Sequence, residues 1–104
     1  MKPISETTIT KGSGSVFADL GFSAAESRNL HIRAEMMTAL RKFIEKERWT
    51  QAEAAKRLKV SQPRISDLIR GKISRFSLDT LVNMLTDAGL SIDFRIKTPS
   101  RRVA

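Results

Sequence analysis

The stretch "TQAEAAKRLKVSQPRISDLIRGK", residues 50–72, carries two helix-starting signals eleven residues apart. Thr50 stands three residues before Glu53, and Ser61 stands two before Pro63. A hydroxyl at the N-cap accepts from a backbone N–H that the first helical turn leaves unpaired, and an acidic residue three positions on reinforces it. A proline in that same turn costs little, because its missing N–H would have had no partner. The spacing predicts helices over about 51–58 and 62–70, a turn at 59–61, and a stop at Gly71. Two helices joined by so short a turn cannot run in line. They must cross at an angle, and the rest of the chain has to cover the apolar side of that pair.

The flanking sequence supplies the cover. Ser23 and Glu26 form a second capping box, and Leu30, Ala34, Met37, Leu40 and Ile44 then recur at helical spacing. Ile32, Met36 and Phe43 widen that stripe, so a long helix runs from Ser23 to near Arg48. Trp49, just before the Thr50 cap, is placed to pack on Ala54 as a hydrophobic staple. After the linker "KISRF", Ser77 opens a further helix over about 78–88, with Leu78, Leu81, Val82 and Leu85 on one face and Gly89 as its stop. The period then changes. In "LSIDFRIK", Ile92, Phe94 and Ile96 alternate with Asp93, Arg95 and Lys97, the pattern of a half-buried strand. Ahead of the long helix, "VFADLGF" reads as a short helical turn docked on the body, and residues 1–15 as a polar tail. Residues 16–97 are thus expected to form a single domain, followed by a basic tail over 98–104. The fold class is mainly α, a bundle of about four to five helices with one C-terminal β-strand.

Composition narrows the chemistry. Among the 104 residues there is no cysteine and one histidine, which excludes a disulfide framework and a thiolate metal site. No metal and no cofactor is expected. No Ser–His–Asp arrangement, apolar-lined carboxylate pair or phosphate-cradling glycine loop is present, so the chain does not read as an enzyme. His31, Met36 and Met37 read as structural, and Asp79, Asp87 and Asp93 as exposed. No apolar run approaches a bilayer span and no signal-peptide pattern opens the chain, so a soluble cytoplasmic protein with no membrane association is the expectation. The net charge is +8, which asks for a polyanionic partner, nucleic acid ahead of an acidic membrane surface. The excess is local. Residues 48–75 carry Arg48, Lys56, Arg57, Lys59, Arg64, Arg70, Lys72 and Arg75 against only Glu53 and Asp67.

At 100° per residue, Ile65, Leu68 and Ile69 of the third helix share one side and face Ala55 and Leu58. Pro63, Ser66, Asp67 and Arg70 fall opposite, with Gln62 and Arg64 at the flanks. A short helix with such a polar face suits the major groove, where glutamine pairs with adenine and arginine with guanine. The stretch resembles the helix-turn-helix of the phage-repressor-like, XRE family. The resemblance rests on the Thr50–Gln51 opening, Ala55 at the small position, Ile65 and Leu68 at buried positions and the closing Gly71–Lys72. It covers about residues 28–90. Lys59 departs from it, standing where the family usually has a turn glycine, at a cost of about 1 kcal/mol for the left-handed backbone.

The resemblance implies a lambda-repressor-like fold and places base reading at Ser61, Gln62, Pro63, Ser66, Asp67 and Arg70. The chemistry favours Gln62, Arg64 and Ser66 for bases. Asp67 is suited to accept from a cytosine amino group or to hold Arg64 or Arg70 by an ion pair. Gln51, Lys72 and Arg75 are the expected phosphate contacts. Residues 62–97 are also similar to antitoxins of the HigA type, which are encoded beside RNA-cutting toxins. That implies a DNA-binding repressor that autoregulates its operon, with a cognate toxin as a possible partner. A free-standing XRE regulator and a non-specific nucleic-acid binder are the alternatives. The lone strand has no sheet to join, so Ile92, Phe94 and Ile96 are expected to pair with a second copy. A homodimer of this kind reads a palindromic operator on double-stranded DNA.

Overall fold

In the computed structural model, which describes residue 17 and residues 19–98, four α-helices follow a helical turn at Phe17 and Asp19. They are α1 (Ala24–Glu47), α2 (Gln51–Leu58), α3 (Gln62–Ile69) and α4 (Leu78–Asp87), with a 3₁₀ turn at Ile73–Arg75 between the last two. Each begins as its sequence dictates. Ser23 Oγ accepts from Glu26 N at 3.1 Å while Glu26 Oε1 accepts from Ser23 N at 2.9 Å. The Ser23 backbone N–H, and then the Ser23 side chain, hold the Glu26 carboxyl below its ordinary range. A depressed carboxyl stabilises α1 above its unfolded-state pKa, and that contribution is lost as pH falls through the lowered value. Thr50, Ser61 and Ser77 cap the other three helices, each accepting from the N–H three residues on.

The helix ends depend on left-handed backbone. Lys59 sits at φ 59°, ψ 42°, and its N–H and that of Val60 both return to the Ala55 carbonyl. Lysine therefore takes the conformation in which glycine would have been free of strain. Arg48 closes α1 in the same way at φ 59°. Gly71, at φ 73°, ends α3 as expected, with the Lys72 N–H reaching back to the Asp67 carbonyl at 2.9 Å.

The core is one cluster. Met37, Leu40 and Ile44 from α1 meet Ala54, Ala55 and Leu58 from α2, Ile65 and Leu68 from α3, and Leu81, Met84 and Leu85 from α4. Contact is most extensive between α2 and α3, then between α1 and α4. Phe76, from the linker, completes the core at 1% exposure. Ile73 and Phe76 are three apart, so the 3₁₀ turn brings both apolar side chains to the same side.

Several apolar residues depart from the expected faces. Ile69 is 42% exposed and does not join Ile65 and Leu68, because α3 gives way at Arg70 before its last turn is covered. Val82 and Ile32 are likewise exposed, while Met84 takes the buried place on α4. Trp49 stacks edge-to-face on Phe43, centroids 5.5 Å apart, with the Arg57 guanidinium 5.0 Å from its ring centre. Its aromatic partner is thus on α1. Asp87 is drawn into an ion pair with Lys59 at 3.7 Å, which ties the α2–α3 turn to the end of α4.

Residues 91–98 are exposed and carry no regular structure, and no strand occurs among the described residues. A ladder needs a second strand to accept its backbone bonds, and a single chain offers none. The expected tails, residues 1–15 and most of 98–104, lie outside the described residues, as do Val16 and Ala18 of "VFADLGF". Phe17 and Phe22 pack edge-to-face at 6.4 Å, and the Phe17 carbonyl accepts from Leu20 and Phe22.

At the α2–α3 contact there is no room for bulk. Ala54 is fully buried and Ala55 is 8% exposed. Ala55→Leu should lower stability by about 1–3 kcal/mol through overpacking, measured as a shifted urea midpoint at constant slope.

Candidate nucleic-acid interface

The outward side of α3 is built by its inward side. Ile65 and Leu68, both fully buried, clamp the helix on α2 and leave Gln62, Pro63 and Arg70 exposed, with Ser66 and Asp67 half-buried. Ser61 is exposed, and its hydroxyl serves the cap. Gln51, the first residue of α2, is exposed; Lys72 is half-buried and Arg75 exposed beyond the end of α3. Among the described residues, the side chains of Gln51, Gln62, Ser66, Arg70 and Lys72 form no hydrogen bond or ion pair within the chain. They stand ready for an external ligand at no cost in broken contacts.

Asp67 and Arg64 are engaged instead. The Asp67 carboxylate, its side chain only 16% exposed, pairs with Arg75 at 3.7 Å. Its partner is therefore neither Arg64 nor Arg70. The linker turns back at Ile73–Arg75 and packs on α1, and this turn brings Arg75 within reach of Asp67. Arg64 Nη1 donates to the Arg75 carbonyl, and its guanidinium lies 5.5 Å from the centre of the Phe76 ring. In this position it faces the linker, and base contact by Arg64 would require release of both interactions.

A second arginine grips the same linker from the other side. Arg33 Nη1 on α1 donates to the carbonyls of Ile73 at 3.2 Å and Phe76 at 3.0 Å, while its Nε donates to Asn29 Oδ1 at 2.7 Å. The two arginines donate to three carbonyls in four residues, and the Ile73 carbonyl also accepts from the Phe76 N–H at 3.1 Å. Nothing in the local sequence signals the role of Arg33: the partners are 40 and 43 residues away. The 3₁₀ turn at Ile73–Arg75 is a second feature that the linker "KISRF" does not announce, because a single Ile–Phe spacing is too short to mark a helix.

The surface so assembled is cationic. Lys56, Arg57, Lys59, Arg70, Lys72 and Arg75 are at least partly exposed around the α2–α3 unit, and within it only Glu53 and Asp67 oppose them. Among the described residues no cluster of three or more His, Asp or Glu side chains is fit to hold a metal, and no helix is long and apolar enough to cross a membrane.

A small-residue contact, a capped short helix held against it, and a polar face left outward define a helix-turn-helix protein, the architecture of DNA-binding regulators. The profile of the family described as helix-turn-helix domain matches residues 16–97, and the chain belongs to that family. No curated protein matches it.

Arg64→Ala should lower stability by about 1–2 kcal/mol, since it removes a charge-assisted hydrogen bond and a ring contact at a partly exposed site. A chemical denaturation curve indistinguishable from that of the unaltered protein would show that the guanidinium is not held on the linker in solution.

Proposed function

We propose that this protein is a sequence-specific DNA-binding transcriptional repressor that acts as a homodimer. The observation that carries the reading is the outward face of α3, where the Gln62, Ser66 and Arg70 side chains are unengaged among the described residues and the chain's excess of cations lies around them. Gln62 and Ser66 are the leading base readers, flanked by Ser61, Pro63 and Arg70, and the helix enters the major groove by its N-terminal half. Gln51, Lys72 and Arg75 contact phosphates from either end of the motif. Arg64, parked on the linker, serves base reading only where binding releases it.

The dimer reading rests on the C-terminal segment. Ile92, Phe94 and Ile96 are 40%, 82% and 85% exposed, an alternating apolar set that the described residues leave largely uncovered. Antiparallel pairing with the same residues of a second copy would cover that set and satisfy the backbone at once. A two-fold pair also reads two half-sites about one helical turn apart, which one recognition helix does not. The likeness of residues 62–97 to HigA-type antitoxins supports a finer reading, in which the protein neutralises an RNA-cutting toxin and autoregulates their operon. A free-standing regulator is the alternative, and co-purification with the product of an adjoining reading frame separates the two.

Selection of a bound sequence from a randomised duplex pool is the direct test. It should recover a palindrome, and recovery of no preferred sequence would leave only non-specific binding. With that operator, Gln62→Ala should cost about 1–3 kcal/mol and relax selectivity at one base pair. Lys72→Ala should weaken binding to all sequences alike and reduce the salt slope by about one. Removing residues 90–104, or Phe94→Asp, should give a monomer by sedimentation that keeps its helices and binds the operator far more weakly. A truncated chain that stays dimeric would move the dimer contact to another surface.

A further inference from the structure

A cleft of about 620 Å³ opens beside the linker, between α1, the α2–α3 turn and the start of α4. Arg33, Arg64 and Arg75 line it, together with the hydroxyl residues Ser74, Ser77 and Thr80, and no carboxylate does. Val60 and Phe76 supply the apolar part of its wall. Three arginines around one space repel each other, and Asp67, which pairs with Arg75 at 3.7 Å, is not part of the lining.

Two of the three cations are already oriented. Arg33 is fixed by Nε and Nη1 on Asn29, Ile73 and Phe76, which leaves Nη2 with both of its protons. Arg64 is fixed by Nη1 on the Arg75 carbonyl, which leaves Nε and Nη2. Ordering a long side chain is one of the costs of binding through arginine, and for Arg33 and Arg64 the fold has met it in advance. The Nε–Nη2 edge of Arg64 is a planar fork of free donors that fits the paired oxygens of a phosphate or a carboxylate, and three cations around one space favour the more highly charged phosphate.

We propose that this cleft seats a single phosphate group, held by Arg33, Arg64 and Arg75 with Ser74 and Thr80 as hydroxyl donors. The phosphate chemistry stands on the cleft itself. Its source, a backbone phosphate of the bound duplex, rests on the DNA-binding reading, because Arg64 belongs to the recognition helix and Arg75 to the turn that follows it. A free phosphorylated small molecule offers the same oxygens. The assignment turns Arg33 from a linker clamp into a ligand contact, and moves Arg64 from a base to the backbone.

Two titrations test it. The first measures duplex binding against KCl concentration for the unaltered chain, Arg33→Gln and Ser74→Glu. The second follows the arginine Nε–H resonances of the unaltered chain as inorganic phosphate is added, with chloride at matched ionic strength as control. Arg33→Gln should lower the log–log salt slope by about one. Ser74→Glu, which leaves the linker hydrogen bonds intact, should weaken duplex binding several-fold, and decides the matter if Arg33→Gln fails to fold. The Arg33 and Arg64 resonances should move saturably with phosphate and not with chloride. Weaker binding of Arg33→Gln at an unchanged slope would overturn the proposal and leave Arg33 a clamp, while DNA binding stood. Saturable phosphate shifts in a chain that bound no duplex would uphold the site and overturn its DNA source. Resonances indifferent to phosphate, with both variants binding duplex as the unaltered chain does, would overturn the site outright.

Discussion

The contact between α2 and α3 sets the terms for everything else in the molecule. Ala54 and Ala55 bring the backbones of the two helices close, and Leu58, Ile65 and Leu68 fill the space around them. Each helix has only eight residues, too few to persist alone in water. Their stability comes from this shared apolar face and from the layer of α1 and α4 beneath it. Because the contact uses one side of α3 completely, the other side is left polar and outward. The exposed face is thus a consequence of the core.

The linker after α3 shows how charge is divided between structure and ligand. Its carbonyls at 73, 75 and 76 are satisfied by Arg33 and Arg64, and its Phe76 is buried in the core. The 3₁₀ turn thereby holds Arg75 and Lys72 in a fixed relation to the recognition helix. Exposed ion pairs add little to stability: those of Arg57 with Glu53, Lys59 with Asp87 and Arg75 with Asp67 are worth about 0–1 kcal/mol each. Their effect is on position, and the cations they leave over face solvent.

The local elements were legible because short-range chemistry governs them. The hydroxyl caps at Ser23, Thr50, Ser61 and Ser77 all form as the spacing requires, and the turn forms through Lys59 despite its strain. The errors fall where a helical wheel is asked to report on a neighbour. Ile69 and Val82 lie on apolar arcs that reach beyond what any partner covers. Phe76 was passed over because a five-residue linker has no periodicity strong enough to mark a core residue. The alternating pattern of Ile92, Phe94 and Ile96 specifies only that one face be apolar, and a strand is completed by its pairing partner.

The sequence by itself determined the helix starts, the crossing unit, the larger part of the core and the concentration of positive charge on residues 48–75. Each follows from interactions within a few residues or from a repeat along a single helix. The tertiary structure alone decided which arginines are engaged. Arg33, Arg64 and Arg75 are alike in sequence, yet one is held by carbonyls 40 and 43 residues away, one by the linker and an aromatic ring, and one by Asp67. A guanidinium meets its partner through a long flexible stem, so its role is set by whichever acceptors the packed helices bring within reach, and no local pattern records them.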